Sequence, residues 1–284
     1  MLPLKNVYSK VIQAIKSNPV VFLPFAIFAA FEFISLIVIY LAPRMPLKLL
    51  LGPPIRAIWG EKFLHYPLNF ILIPKLASLA KIGLTVILGS LLTGVATLLI
   101  YNIYNKTKIN LKDVFKSTLK KYVSLFAIAL LFTLIFYFLD KVASKLLIKY
   151  FVSGHTRLFF LGPKIWLGPI LLCFNFILAI IVQSAFVYAI PILLIGGETL
   201  TKAVFKSFVL FKKLFVKTIL LVSLPMLAYV PIIILQSDPA FLITRLFPEA
   251  VLLVTILSLI VSSFIVDLLI TLAATNLYLT HKNE

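Results

Sequence analysis

The sequence predicts an all-α, polytopic integral membrane protein. Six membrane-crossing helices are expected, laid out as three units, each a basic amphipathic helix followed by a hairpin of two spans. Three observations predict this. Hydrophobic residues make up 62% of the 284-residue chain and charged residues only 13%, where a soluble domain carries about 25% charged residues. The chain therefore holds more apolar surface than one water-soluble core buries, and the bilayer must act as its solvent. Second, the apolar residues gather into six runs near the roughly 20 residues a helix needs to cross the hydrocarbon. Third, a six-residue string occurs almost twice: Lys112-Asp113-Val114-Phe115-Lys116-Ser117 and Lys202-Ala203-Val204-Phe205-Lys206-Ser207. A fainter copy, Ala14-Ile15-Lys16-Ser17, lies near the N-terminus, and each copy precedes an apolar run.

The first unit covers about residues 1–101. Its opening lysines and the apolar run 20–41 resemble a signal peptide, but the run has 22 residues, longer than an h-region of about 7–15. It is followed by Ala42-Pro43-Arg44 with no small-residue cleavage site, so it reads as a retained first span. Residues 43–81 hold Pro43, Pro46, Pro53, Pro54, Pro67 and Pro74 together with Trp59 and Tyr66. Prolines on this spacing oppose one continuous helix, and aromatics suit the headgroup zone. Short interfacial helices lying on the bilayer are expected there, with the second span at 82–101.

The second unit, about 102–195, starts with an amphipathic helix capped by Asn110. Val114, Phe115, Leu119 and Tyr122 recur at helical spacing, while Lys112, Lys116 and Lys120 fall four apart on another face. Spans follow at 123–139 and 167–195, separated by a second aromatic and basic stretch. The third unit, about 196–284, repeats the pattern. Lys202 and Lys206 are four apart, as are Lys213 and Lys217, with Thr199 or Thr201 as the cap. Its spans are 218–235, interrupted by Pro225 and Pro231, and 251–279. The whole chain is one membrane domain.

Net charge is +18. Beside apolar runs, such an excess faces anionic headgroups, at about 1 kcal/mol per Lys or Arg near the surface. No nucleic-acid motif accompanies it, so membrane lipids are the expected partners, with other membrane subunits as further candidates. The headgroup or partner contacts are expected from Lys112, Lys116, Lys120, Lys202, Lys206, Lys213 and Lys217. A helix plus hairpin returns to its starting side, so the three basic helices share one face with both termini. Fifteen Lys and Arg then fall on that side and twelve on the other. The positive-inside rule puts the termini in the cytoplasm and the chain in the cytoplasmic membrane.

Chemistry-bearing residues are sparse. Cys173 is the sole cysteine, and His65, His155 and His281 fall in no ligand spacing. No metal or cofactor is expected, and no Ser/His/Asp or Cys/His set suggests an enzyme. Two carboxylates do lie deep in expected spans, Glu32 in the first and Asp267 in the sixth. An ionised group there costs roughly 2.5–3.5 kcal/mol on insertion scales, so each must face the bundle interior. Ser263, Asp267, Thr271 and Thr275 are four apart and form one polar stripe, while Asn175 and Gln183 share a face of the fourth span. This set is either an interhelical hydrogen-bond network or a polar pathway.

The third unit carries a further arrangement: Pro191, a short apolar stretch, Glu198, then the string from Lys202 to Ser207, then a new span. It resembles a loose group of uncharacterised prokaryotic six-span proteins, including the membrane domain attached to some glycerophosphodiesterases. The glycines here, Gly196 and Gly197, precede the acid rather than follow it. The resemblance implies a six-helix membrane domain without an established activity. Two functions are left open: a non-enzymatic membrane module, such as an accessory subunit or scaffold, and a transporter or permease working through Glu32 and Asp267.

Overall fold

The computed structural model describes residues 4–107, 110–152 and 163–282. Every regular element among them is helical. Helix α1 (Leu4–Ser17) is amphipathic and packs its buried Val7 and Val11 onto the bundle. A 3₁₀ turn (Pro19–Phe22) leads into α2 (Leu23–Leu41). Then come α3 (Leu47–Trp59), α4 (Asn69–Leu84), a π-helical turn (Thr85–Gly89) and α5 (Ser90–Tyr104). Helices α6 (Leu111–Lys120) and α7 (Tyr122–Val152) follow, then α8 (Pro163–Phe186) and α9 (Ala189–Leu194). The last third holds α10 (Leu200–Lys213), α11 (Phe215–Leu227), α12 (Val230–Ser237) and α13 (Pro239–Arg245). It ends with α14 (Glu249–Val261), a second π-helical turn (Ser262–Asp267) and α15 (Leu268–Lys282).

Among the described residues, five helical stretches are long and apolar enough to cross a membrane: Pro19–Leu41, Asn69–Tyr104, Tyr122–Lys149, Gly168–Leu194 and Glu249–Lys282. The pair α11 and α12, bent by 54°, makes a sixth when counted as one broken span. Their outer faces carry large apolar side chains such as Ile34, Leu134, Phe138 and Leu253, as a lipid-facing surface should. Most inner faces share one core, in which Leu125, Tyr188, Leu193, Leu221 and Leu272 are fully buried, while Leu36, Phe70, Ile73 and Val251 form a second cluster joining α2, α4 and α14.

One expected boundary is wrong in a way that matters. Residues 69–81, expected to belong to interfacial helices, form the first third of a 36-residue candidate span. Pro74 lies inside α4 without ending it. A proline removes one helical hydrogen bond, and neighbouring helices in a membrane bundle make that tolerable; α4 is packed on both α2 and α14. Lys81, expected outside the membrane, therefore sits inside that candidate span. Residues 47–64 do form short helices, which pack Ile55 and Leu64 against Ala42 and Leu72 and cap the end of α2 and α4. The span expected to end at 139 runs on as α7 to Val152. Of the aromatic and basic stretch that follows, Phe159 and Phe160 lie outside the described residues.

The basic helices merge into the spans behind them, with single-residue joints at Lys121 and Leu214. Asn110 caps α6, accepting from the Lys112 backbone N–H at 3.1 Å. Thr199 occupies the N-cap position of α10 without a side-chain bond to the helix. The two near-identical strings turn different faces inward. In α6 the buried positions are Val114 and Thr118; in α10 they are Ala203, Ser207 and Leu210. Ser207 donates to the Ala185 carbonyl at 2.7 Å, and Tyr188 shares a 2.7 Å hydrogen bond with Thr218. Together these hold the break between α8 and α9.

Candidate functional site

The apolar face of α2 is read off its spacing: Phe25, Phe28, Ala29, Glu32 and Leu36 recur every three or four residues and all are buried. Glu32 thus enters the core because helical periodicity puts it there. It is 5% exposed. Its Oε2 accepts from the Ser263 hydroxyl at 2.8 Å, and its Oε1 lies 3.2 Å from Lys81 Nζ. Oε1 takes no aligned hydrogen bond, so the ammonium holds it as an ion pair. Lys81 also donates to the Ser262 hydroxyl. The two serines are adjacent in sequence and both buried. Neighbouring positions on a helix point in different directions, so the two reach different partners; both lie in the π-helical turn Ser262–Asp267, and such turns are frequent at functional sites. A lone charge in this layer is costly, and a paired, hydrogen-bonded one is far less so.

Cavities lie on both sides of the layer. One, of about 110 Å³, is lined by Glu32, Ser35, Ser78, Lys81, Tyr229 and Gln236 among others. Along every helix its lining residues lie toward the end capped by α3. Tyr229 stands at the bend between α11 and α12, where its hydroxyl is 2.5 Å from Ser258 Oγ. The second cavity, of about 190 Å³, is lined by Phe25, Phe28, Thr93, Thr97, Gln183, Asp267, Thr271 and Thr275 among others. These residues lie toward the opposite end, where both termini are found. Each volume exceeds by several times the roughly 10–15 Å³ a single water requires.

Asp267 is one turn beyond Ser263 but faces the second cavity, not Glu32. It is within electrostatic reach of both Lys81 and Glu32, yet no ion pair or hydrogen bond engages it among the described residues. The expected stripe is therefore divided: Ser263 binds Glu32, while Asp267, Thr271 and Thr275 line the larger cavity. The π-helical turn causes the division, because the extra residue rotates everything after it. Gln183 joins the same cavity. Asn175 lines neither cavity, and its buried Oδ1 has no hydrogen-bond partner among the described residues.

Sequence reasoning missed Lys81, Tyr229 and Gln236. Lys81 was hidden by the proline-rich stretch before it. For Tyr229 a signal existed, since Pro225 and Pro231 flag a break that needs polar partners. Glu61 and His65 approach to 4.0 Å, but Glu61 pairs mainly with Arg56. His155 and Arg157 lie outside the described residues. Among the described residues, no group of three His, Cys, Asp or Glu side chains is placed to hold a metal.

At the terminal end of the bundle, Lys112, Lys116, Lys120, Lys202, Lys206 and Lys213 are exposed and Lys217 is half-buried. Lys206 pairs with Glu198, and this hydrogen bond holds the Glu198 carboxyl below the usual carboxylate range. Lys213 Nζ lies 3.3 Å from His281 Nε2, which ties α10 to the C-terminal helix.

The fold defines the class: an all-helical bundle with five or six candidate membrane-spanning helices. The chain matches no family model, no curated protein and no solved structure among those compared, so its function is argued from its own geometry.

Proposed function

We propose that this protein moves a small solute or ion across the cytoplasmic membrane. In this reading it is a six-span permease of three helix-plus-hairpin units, with both termini in the cytoplasm. One observation carries the reading: an ion pair between buried Glu32 and half-buried Lys81 sits between two cavities, each with polar groups in its wall, that lie toward opposite ends of the bundle. A helix bundle held by polar contacts alone has no use for two cavities back to back. A carrier needs both, with a barrier between them that opens to one side at a time. The bend at Tyr229 and the two π-helical turns flanking the charged layer supply movable joints. The layer holds two carboxylates and one ammonium. The unmatched charge is borne by Asp267, which makes it the seat for a cationic passenger or a proton. Moving Lys81 from the outer charge count into the bundle strengthens the charge bias that puts the termini inside.

Cysteine accessibility tests the reading without knowledge of the substrate. In a Cys173→Ala background, Ser35→Cys reports the smaller cavity and Thr93→Cys the larger. A membrane-impermeant maleimide should label the first from outside the cell and the second from inside. Two inert cysteines, or two that react from one side only, would leave a closed bundle and end the transport reading.

A second reading rests on the exposed basic helices. Their six exposed lysines suit anionic lipid or an acidic membrane subunit, as expected of an accessory module or scaffold. A partner that co-purifies from native membranes and is lost when Lys112, Lys116 and Lys120 become Gln would support it. Loss of no partner would count against it.

A further inference from the structure

The larger cavity has a chemical character that the transport reading alone does not specify. Its wall carries the face of α2, with Phe25 and Phe28, and two further rings, Phe132 from α7 and Phe186 from α8. Among the described residues Asp267 is the one charged residue in that lining, and Gln183 lines the same space as a neutral hydrogen-bonding group. The ammonium closest to Asp267 is Lys81, but its head is committed to Glu32 and Ser262 on the far side of the layer. The cavity therefore presents an acid beside aromatic rings, with its nearest cation, Lys81, outside the lining and paired to Glu32.

We infer that this cavity binds a small organic cation, a protonated amine with an apolar body. The inference rests on the transport reading for its biological sense but not for its chemistry. A carboxylate selects the ammonium, and aromatic faces within about 6 Å add cation–π attraction. An anion is excluded, because no cationic side chain lines the space. A bare inorganic cation is the poorer occupant, since it needs about six or more oxygen ligands and here meets a largely apolar wall. Size sets the scale. A cavity of about 150 Å³ accepts benzene, and this one measures about 190 Å³, which fits a ring or branched alkyl group bearing one amine.

The test uses the full chain in lipid nanodiscs, with benzylamine as probe and benzyl alcohol as its neutral counterpart, read by titration calorimetry. Benzylamine should bind saturably and at least ten-fold tighter than benzyl alcohol. Asp267→Asn should bring the two to parity, and Phe132→Leu should weaken benzylamine several-fold while leaving the acid in place. Equal binding of the two probes to the unmodified protein overturns the inference, and that comparison needs no variant to fold. Retained preference in Asp267→Asn overturns it too. Benzylamine binding without two-sided cysteine labelling keeps the cation site and removes transport. Two-sided labelling without benzylamine preference keeps transport and removes the cation site.

Discussion

Tyr8 donates its phenolic proton to the Leu221 carbonyl at 2.7 Å, across 213 positions of sequence. Leu221 is four residues before Pro225, which lies inside α11 and has no N–H to give back. The amphipathic N-terminal helix thus satisfies a carbonyl that the proline leaves free in the most broken span. Burial pushes the Tyr8 hydroxyl up to about 12, so it remains a donor throughout the physiological range.

Tyr8→Phe should therefore destabilise the fold by about 0.5–1.5 kcal/mol, the net value of one such hydrogen bond. Unfolding of the purified protein in mixed micelles measures it. Pro225→Ala restores the missing helical donor, so in that background Tyr8→Phe should cost less. An equal cost in both backgrounds would disconnect Tyr8 from the proline.

The Glu32–Lys81 pair predicts strong non-additivity. Removing one partner leaves an uncompensated buried charge, at roughly 3–5 kcal/mol. Glu32→Gln and Lys81→Met should each lower stability by a large amount, and the double variant should recover most of it. A double-mutant cycle that returns simple additivity would mean that the two groups ignore each other.

Gly94 lies where α5 meets α6, α7 and α9. A Cβ there would come within 2.7 Å of Thr118 and 2.9 Å of Leu125. Gly94→Ala should therefore cost about 1–3 kcal/mol by overpacking. Gly83, with open space around it, should tolerate alanine. Helix propensity favours alanine at both positions, so comparing thermal midpoints of the two variants isolates the packing cost; equal midpoints would show that the space around Gly94 relaxes freely.

Glu198 gives a pH signature. Its folded-state affinity for protons is lowered by Lys206, so the stabilisation it provides is complete above the ordinary carboxylate range. It disappears as pH falls through the lower folded value. Carboxyl ¹³C NMR should place the Glu198 midpoint below that of a free glutamate, and Lys206→Met should return it toward normal. An unshifted midpoint in the unmodified protein would mean that the pair does not persist in solution.

Much of this was legible in the sequence. Hydropathy located the spans because lipid leaves helices little choice: every backbone donor must be satisfied within the segment. Glu32 was readable as buried because it falls on the same face as Phe25, Phe28 and Leu36. Its partner was not, because proline chemistry argues against a span through Pro74, and only the packing of α2 and α14 around α4 overrules that. The stripe from Ser263 to Thr275 was readable as polar but not as divided. Four-residue spacing assumes an unbroken α-helix, and nothing in Ser262-Ser263-Phe264-Ile265-Val266-Asp267 announces the extra residue in the turn. The repeated string was plain, yet which of its positions turn inward depends on neighbours that the string does not contain.

The placement of Glu32 and Lys81 on the first two spans also bears on how the chain enters the bilayer. Glu32 is synthesised first, and its span must await or admit a charge in hydrocarbon. Once α4 emerges, the two helices can slide in as a neutral hairpin, each relieving the other of an insertion cost of roughly 2.5–3.5 kcal/mol. Ser262 and Ser263 arrive only with the final span. Until then the newborn hairpin carries its ion pair without its hydroxyl partners, so membrane integration of the second span should fall in a glycosylation-mapping assay when Glu32 becomes Lys, and Lys81→Glu in the same chain should bring it back. A second span that integrates equally well in all three forms would show that the pair assembles only after insertion.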